Sequence, residues 1–186
     1  GNGLSATATL ATFAQRIVVN GGNYSNNFGG GIFLNTSEVT AGAPSTVVEL
    51  NGTDSDPIFL QNNAAQGLRL GSTTNSDILI DRAEGMIITG NASHGIEFFE
   101  IQNAAYDPPG PDPNITFRNC LLANNRTNFR NGDGNAAPAT LSFVDCTFHN
   151  PGNLTPAAPA FADAHIVLNF GGSDLFRHNF IDCIFS

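Results

Sequence analysis

Lysine and tryptophan are absent from this sequence, methionine occurs once and cysteine three times. Without lysine there is no amine to form a Schiff base with a carbonyl substrate. The seven basic residues are all arginine, against 16 acidic residues and a formal charge of -9, so no positive face is available for nucleic acid. No run of about 18 apolar residues occurs, which excludes insertion into a membrane as a helix. No CxxC pair, phosphate-binding loop or G-x-S-x-G nucleophile elbow is present. His94, His149, His165 and His178 stand at unrelated positions without metal-ligand spacing, so surface or strand-end roles are expected and no cofactor is implied. The opening GNGLSA has neither Met nor a signal-like charged and apolar stretch, which suggests a processed chain or a piece of a longer one.

What the sequence does have is 20 glycines, 15 phenylalanines and much Asn, Ser and Thr, arranged around a repeated unit. Its clearest copy is ITFRNCLLANN (115–125): Ile115 and Phe117 alternate with polar residues, Asn119 interrupts, Cys120 and Leu122 resume the alternation, and two asparagines close the unit. Such a pattern describes two short strands joined by one residue in the left-handed region, which swings the chain through a bend instead of folding it back. Further copies are IVVNGGNYSNN (17–27), LSFVDCTFHN (141–150) and HNFIDCIFS (178–186), with looser ones at DPIFLQNN (56–63) and EGMIITGN (84–91). About six copies recur at roughly 25 to 37 residues, the period range of solenoids. Gly21, Asp56, Gly85, Asn119, Asp145 and Asp182 take the bend, all types that visit positive φ readily. Gly22, Pro57, Met86, Cys120, Cys146 and Cys183 follow at the inward position.

A shorter motif lies between copies: GGGIFL (29–34), QGLRL (66–70), HGIEFF (94–99), TNFRN (127–131) and AHIVL (164–168). It supplies a third strand, and three strands per coil joined by Gly, Asn and Asp bends describe an all-β, parallel β-helix of about six coils. A single domain over 1–186 is expected, with residues 1–14 as an N-terminal cap or an exchanged strand. Leu4, Ala6, Ala8 and Leu10 alternate as in a strand, while LATFAQRI could form a short helix. Long connections at 38–45, 103–114 and 131–139 all follow the third strand and so gather along one corner, and 151–163 opens from another.

On this register Cys120, Cys146 and Cys183 stack in one inward column as free thiols packed like small hydrophobes, since side-by-side Cβ atoms about 4.8 Å apart are too distant for a disulfide. Asn-x-Ser/Thr occurs at Asn23, Asn35, Asn51, Asn91, Asn114, Asn125 and Asn153, none expected to point inward. These are candidate N-glycosylation sites. The closing asparagines, Asn91 and Asn125 among them, have a structural alternative as a hydrogen-bonded ladder.

NNFGGGIFL (26–34), FRHN (176–179) and the repeated Phe-x-Asn/Asp-Cys-x-Phe/Leu resemble right-handed parallel β-helix proteins, in particular the passengers of polymorphic outer-membrane-type autotransporter adhesins. The resemblance implies a right-handed solenoid serving as an extracellular, cell-surface adhesive or structural module without catalysis, able to contact surface glycans. Pectate-lyase-like and polygalacturonase-like proteins share the architecture, so a polysaccharide-binding or polysaccharide-cleaving protein is the alternative. Such chemistry would need carboxylates clustered on calcium or paired across a glycosidic bond. Asp145 and Asp182, the Asp81, Arg82 and Glu84 cluster, and Glu97 with Glu100 are the candidates, each with a bland reading as bend, solvated loop or strand surface. The apolar last coil, FIDCIFS, carries no cap, so head-to-tail self-association through the coil ends is expected, with LSATATL as a strand that covers its own first coil or joins a neighbour.

Overall fold

The computed structural model describes residues 1–9, 16–37, 46–72, 78–99, 114–131, 140–150, 164–168 and 177–186. Their strands form three parallel six-stranded sheets and build a right-handed parallel β-helix of about six coils. Sheet 1 contains β1 (Leu4–Thr9), β4 (Ile32–Ser37), β7 (Leu68–Ser72), β10 (His94–Phe99), β13 (Thr127–Asn131) and β16 (Ala164–Leu168). Sheet 2 contains β2 (Arg16–Asn20), β5 (Thr46–Asn51), β8 (Ile78–Glu84), β11 (Asn114–Arg118), β14 (Thr140–Val144) and β17 (Arg177–Ile181). Sheet 3 contains β3 (Gly22–Asn23), β6 (Ile58–Gln61), β9 (Met86–Thr89), β12 (Leu121–Ala123), β15 (Thr147–His149) and β18 (Ile184–Phe185). The chain visits the three sheets in turn, so each strand pairs with its equivalents one coil away. The N-terminal alternation is a strand of its own coil: β1 pairs in register with β4, Leu4 on Ile32 and Ala6 on Leu34. The helical alternative at residues 10–15, the connections at 38–45 and 151–163, and all but the strand-forming ends Asn114 and Asn131 of the other two long connections lie outside the described residues.

Most corners between sheets 2 and 3 and between sheets 3 and 1 are turned through left-handed residues. Between sheets 2 and 3 these are Gly21, Gly85, Asn119, Asp145 and Asp182, with φ between 50° and 63°. Their amides bond to the next coil, Asn119 N to Val144 O and Asp145 N to Ile181 O, both about 3.0 to 3.1 Å. The second coil departs from the expected pattern. Asp56 does not adopt positive φ, and Pro57 is not the inward residue. Gly52 takes the bend position, donating to Glu84 O at 2.9 Å, residues 53–57 are inserted, and Ile58 pairs with Met86 in the inward column. The insertion closes on itself through Thr53 N to Asp56 O and Asp56 N to Thr53 Oγ1, a turn that relieves the corner of the left-handed requirement. Between sheets 3 and 1 the left-handed residues are Asn26, Asn62, Gly90, Asn124 and Asn150.

Apolar residues at alternate positions fill the interior. Ile115, Phe117, Cys120, Leu122, Leu141, Phe143, Cys146 and Phe148 are all buried, as the repeat register requires. The core changes along the axis: Ile32, Leu34, Val48, Leu50, Leu68 and Leu70 fill the early coils, and stacked rings fill the later ones. Phe143 lies parallel to Phe117 and Phe180 at 5.3 and 5.4 Å between ring centroids and meets Phe129 and Phe148 edge-on. Phe180, Cys183 and Phe185 continue the columns in the last described strands, where they are covered from one side and not fully buried; Phe185 is 46% exposed.

The cysteines form the expected column, all free. Each thiol donates to the carbonyl two residues earlier, Cys120 to Arg118 O at 3.1 Å, Cys146 to Val144 O at 3.3 Å and Cys183 to Ile181 O at 3.4 Å. Burial pushes the Cys120 and Cys183 thiols above their usual range, Cys120 well above, which keeps them protonated and unreactive. Cys146→Ser is expected to lower stability by about 1–3 kcal/mol, because the shorter C–O bond withdraws the donor from carbonyls already at thiol distance and leaves a buried hydroxyl poorly bonded. Denaturant titration measures it. Adding reductant to the wild-type chain leaves its melting temperature unchanged.

Candidate functional site

The asparagines that close each unit divide into two roles. The first of each pair is left-handed and points out; the second turns in and joins a ladder. Asn27 Nδ2 donates to Asn63 Oδ1 at 2.9 Å, Asn63 Nδ2 to Asn91 Oδ1 at 2.9 Å, Asn91 Nδ2 to Asn125 Oδ1 at 2.8 Å and Asn125 Nδ2 to Asn128 Oδ1 at 3.0 Å. Each acceptor in the first three steps also takes the backbone N–H of the donor residue, at 3.0 to 3.1 Å. The second amide hydrogen of Asn91 goes to Leu60 O and that of Asn125 to Ile88 O. The glycines of the third-strand motif make room for these amides: a Cβ on Gly31, Gly67 or Gly95 would lie 3.0, 2.9 or 2.8 Å from the Nδ2 of Asn63, Asn91 or Asn125. Asn128 occupies the same column one coil later. Asn128 supplies the terminal acceptor of the ladder.

This ladder corrects the placement of two candidate glycosylation sites. Asn91 and Asn125 are fully buried, not outward, and their Nδ2 atoms are committed. Asn23 is exposed, with Oδ1 accepting from Ser25 N at 3.1 Å. Asn35 is half-buried, and Asn51 is half-buried with Nδ2 donating to Asn20 Oδ1 at 3.0 Å. The side chain of Asn114 and all of Asn153 lie outside the described residues.

On the outer face of sheet 1 the register stacks Phe33, Arg69, Glu97 and Arg130 in one column. Glu97 points outward as expected, yet only 4% of it is exposed, because its neighbours close over it. Arg130 Nη1 donates to Oε1 at 2.9 Å, Gln66 Nε2 to Oε2 at 2.6 Å, and Arg69 Nε approaches Oε2 at 3.4 Å while its guanidinium lies 5.2 Å from the Phe33 ring centre. His94 Nε2 lies 3.3 Å from Arg130 Nη1. A guanidinium only donates, so this ring nitrogen accepts and the imidazole is neutral. Burial, then Arg130 and Arg126, lower the His94 pKa to about 4. Both carboxylate oxygens accept from donors on the two flanking coils, an arrangement that clamps three successive coils together. Aligning the third-strand motifs exposes this column, but Gln66 and His94 join it through side-chain reach that no alignment displays.

The depressed pKa has a pH consequence. The unfolded chain binds a proton at His94 near the ordinary value of about 6.5, while the folded chain resists until about 4. Stability from this group is therefore complete above pH 6.5 and lost as the pH falls from there toward 4. His165 and His178 are lowered by burial and act in the same direction. His94→Gln is expected to flatten the stability profile between pH 6.5 and 4 in urea titrations. An unchanged slope refutes the assignment.

The other carboxylate candidates do not converge. Asp145 and Asp182 are exposed at bends with φ of 54° and 52°, which accounts for their residue type. Arg82 and Glu84 form a surface pair at 3.9 Å beside Thr116 and Arg118; the side chains of Asp81 and Glu100 lie outside the described residues. Among the described residues no group of three or more His, Cys, Asp or Glu could hold a metal ion. Comparisons with protein-family models, with curated proteins and with solved structures return no match.

Proposed function

We propose that this chain is a non-catalytic structural and adhesive β-helix module of an extracellular or cell-surface protein, of the kind found in autotransporter adhesin passengers, and that it associates end to end through its terminal coils. One observation carries the reading. The buried asparagine ladder and the Glu97 cluster spend their polar groups on joining successive coils, as a structural module requires. Among the described strands β16, β17 and β18 each pair on one side only, as do β1, β2 and β3, and Phe185 is half-exposed. A head-to-tail contact between copies would continue all three parallel ladders without closing. Because β1 is already paired with β4 of the following coil, stacking of coil on coil replaces donation of that strand to a neighbour.

Light scattering and electron microscopy across a concentration series test this. The expected result is concentration-dependent rods that Phe185→Asp disperses to monomer with unchanged circular dichroism. A wild-type chain that stays a monodisperse monomer throughout overturns self-association.

A further inference from the structure

We propose that the corner between sheets 3 and 1 carries a binding groove for an uncharged saccharide, with the Phe28 ring as its platform. Phe28, Ala64, Ala92 and Arg126 occupy equivalent positions on successive coils, each directly after a ladder asparagine; Ala64 N bonds to Asn27 O and Ala92 N to Asn63 O, both at 2.9 Å. Phe28 is 94% exposed, whereas Phe98, Phe117, Phe129, Phe143 and Phe148 are fully buried. Its ring overlooks a shallow groove that it lines together with Ala64, Ala92, Gly90, Asn26 and Asn62.

Two features make this groove more than a bare corner. The left-handed column reads Asn26, Asn62, Gly90, Asn124, Asn150, so glycine stands at 90 where the other coils carry a side chain. A Cβ at 90 would collide with Asn62 Oδ1, and its absence keeps the groove open. Second, the amides of Asn26 and Asn62 make no hydrogen bond within the described residues, while Asn27 and Asn63 directly behind them are locked in the ladder. The exposed amides are therefore carried on a rigid backbone and keep both donors and an acceptor for a ligand.

An aromatic face beside paired amides suits a sugar ring, whose C–H face covers the phenyl while adjacent hydroxyls exchange hydrogen bonds with the amides. None of the groove residues is charged, although the chain carries a formal charge of -9, and that favours a neutral sugar over an acidic one. Three coils at about 4.8 Å each give a length suited to a short oligosaccharide and far below a standard protein interface. The inference gives the adhesive reading a ligand and rests on it; end-to-end stacking stands or falls separately.

Isothermal titration with the neutral hexasaccharides of glucose (β-1,4 and α-1,4), mannose and N-acetylglucosamine, and with hexagalacturonate as the acidic control, tests it on the intact chain. At least one neutral probe is expected to bind, with affinity reduced at least about tenfold, equivalent to 1.4 kcal/mol, by Phe28→Ala and by Gly90→Asn. The second variant fills the groove with a residue that the same column accepts on four other coils, and circular dichroism with thermal melting verifies its fold. Binding by none of the neutral probes, binding by hexagalacturonate alone, or neutral binding that survives both substitutions overturns the proposal. Light scattering on the same samples reports the end contacts, so a chain that forms rods but ignores sugar refutes this inference alone.

Discussion

Asn91→Ala is expected to be among the most damaging single substitutions in this chain, although it removes only a small polar side chain. The Asn91 amide gives one hydrogen to Leu60 O and one to Asn125 Oδ1, and its oxygen accepts both the backbone N–H and the Nδ2 of Asn63. Truncation strands these partners in a fully buried site. Each unsatisfied buried group costs about 1–3 kcal/mol, so the total loss is on the order of 4 kcal/mol. Water entering the vacated space lowers the figure, but the neighbouring Gly67 backbone leaves little room for it. Asn62→Ala, one position from the ladder on the exposed left-handed corner, is expected to cost about 1 kcal/mol through backbone strain alone. Urea denaturation of the two variants decides the matter: equal losses would mean that the ladder adds nothing beyond its corner geometry. The same burial predicts that material from a glycosylating host, mapped by mass spectrometry, carries no glycan at Asn91 or Asn125. A glycan found at either position on folded chain would contradict the ladder.

Phe143→Ala is the second large effect. Its ring is sandwiched between Phe117 and Phe180 and contacted edge-on by Phe129 and Phe148, so truncation opens a cavity bounded by rings from both adjoining coils. Strands paired above and below cannot collapse into that space, and the expected loss is about 3–5 kcal/mol. Phe185→Ala, on the half-exposed last coil, is expected to cost about 1 kcal/mol or less in the monomer. A Phe143 loss no larger than that of Phe185 would show that the later coils repack freely.

Much of this architecture is legible in the chain because a β-helix stacks equivalent residues at nearly equal intervals. Inward Phe117, Phe143 and Phe180, the cysteine column and the left-handed Asn119, Asp145 and Asp182 all follow from aligning the repeats. The alignment misplaced Pro57, because a turn inserted at residues 53–57 looks locally like one more bend. It also set Cys183 in the same inward column as Cys120 and Cys146, where the structure leaves it only partly buried.

The coil itself is written in the chain: which residues face in, where the backbone bends, and which types tolerate the bend. These follow from local backbone sterics and side-chain alternation, which act between neighbours in the chain. Only packing between coils separates the asparagines of the buried ladder from those of the exposed corner, and only it clamps Glu97 from the coils on either side. Adjacent residues Asn62 and Asn63 are chemically identical, and only the left-handed turn at the first, with the glycine column beside the second, separates their fates. Contacts of that kind run along the axis between residues some thirty positions apart, where side-chain reach, not sequence spacing, sets the partner.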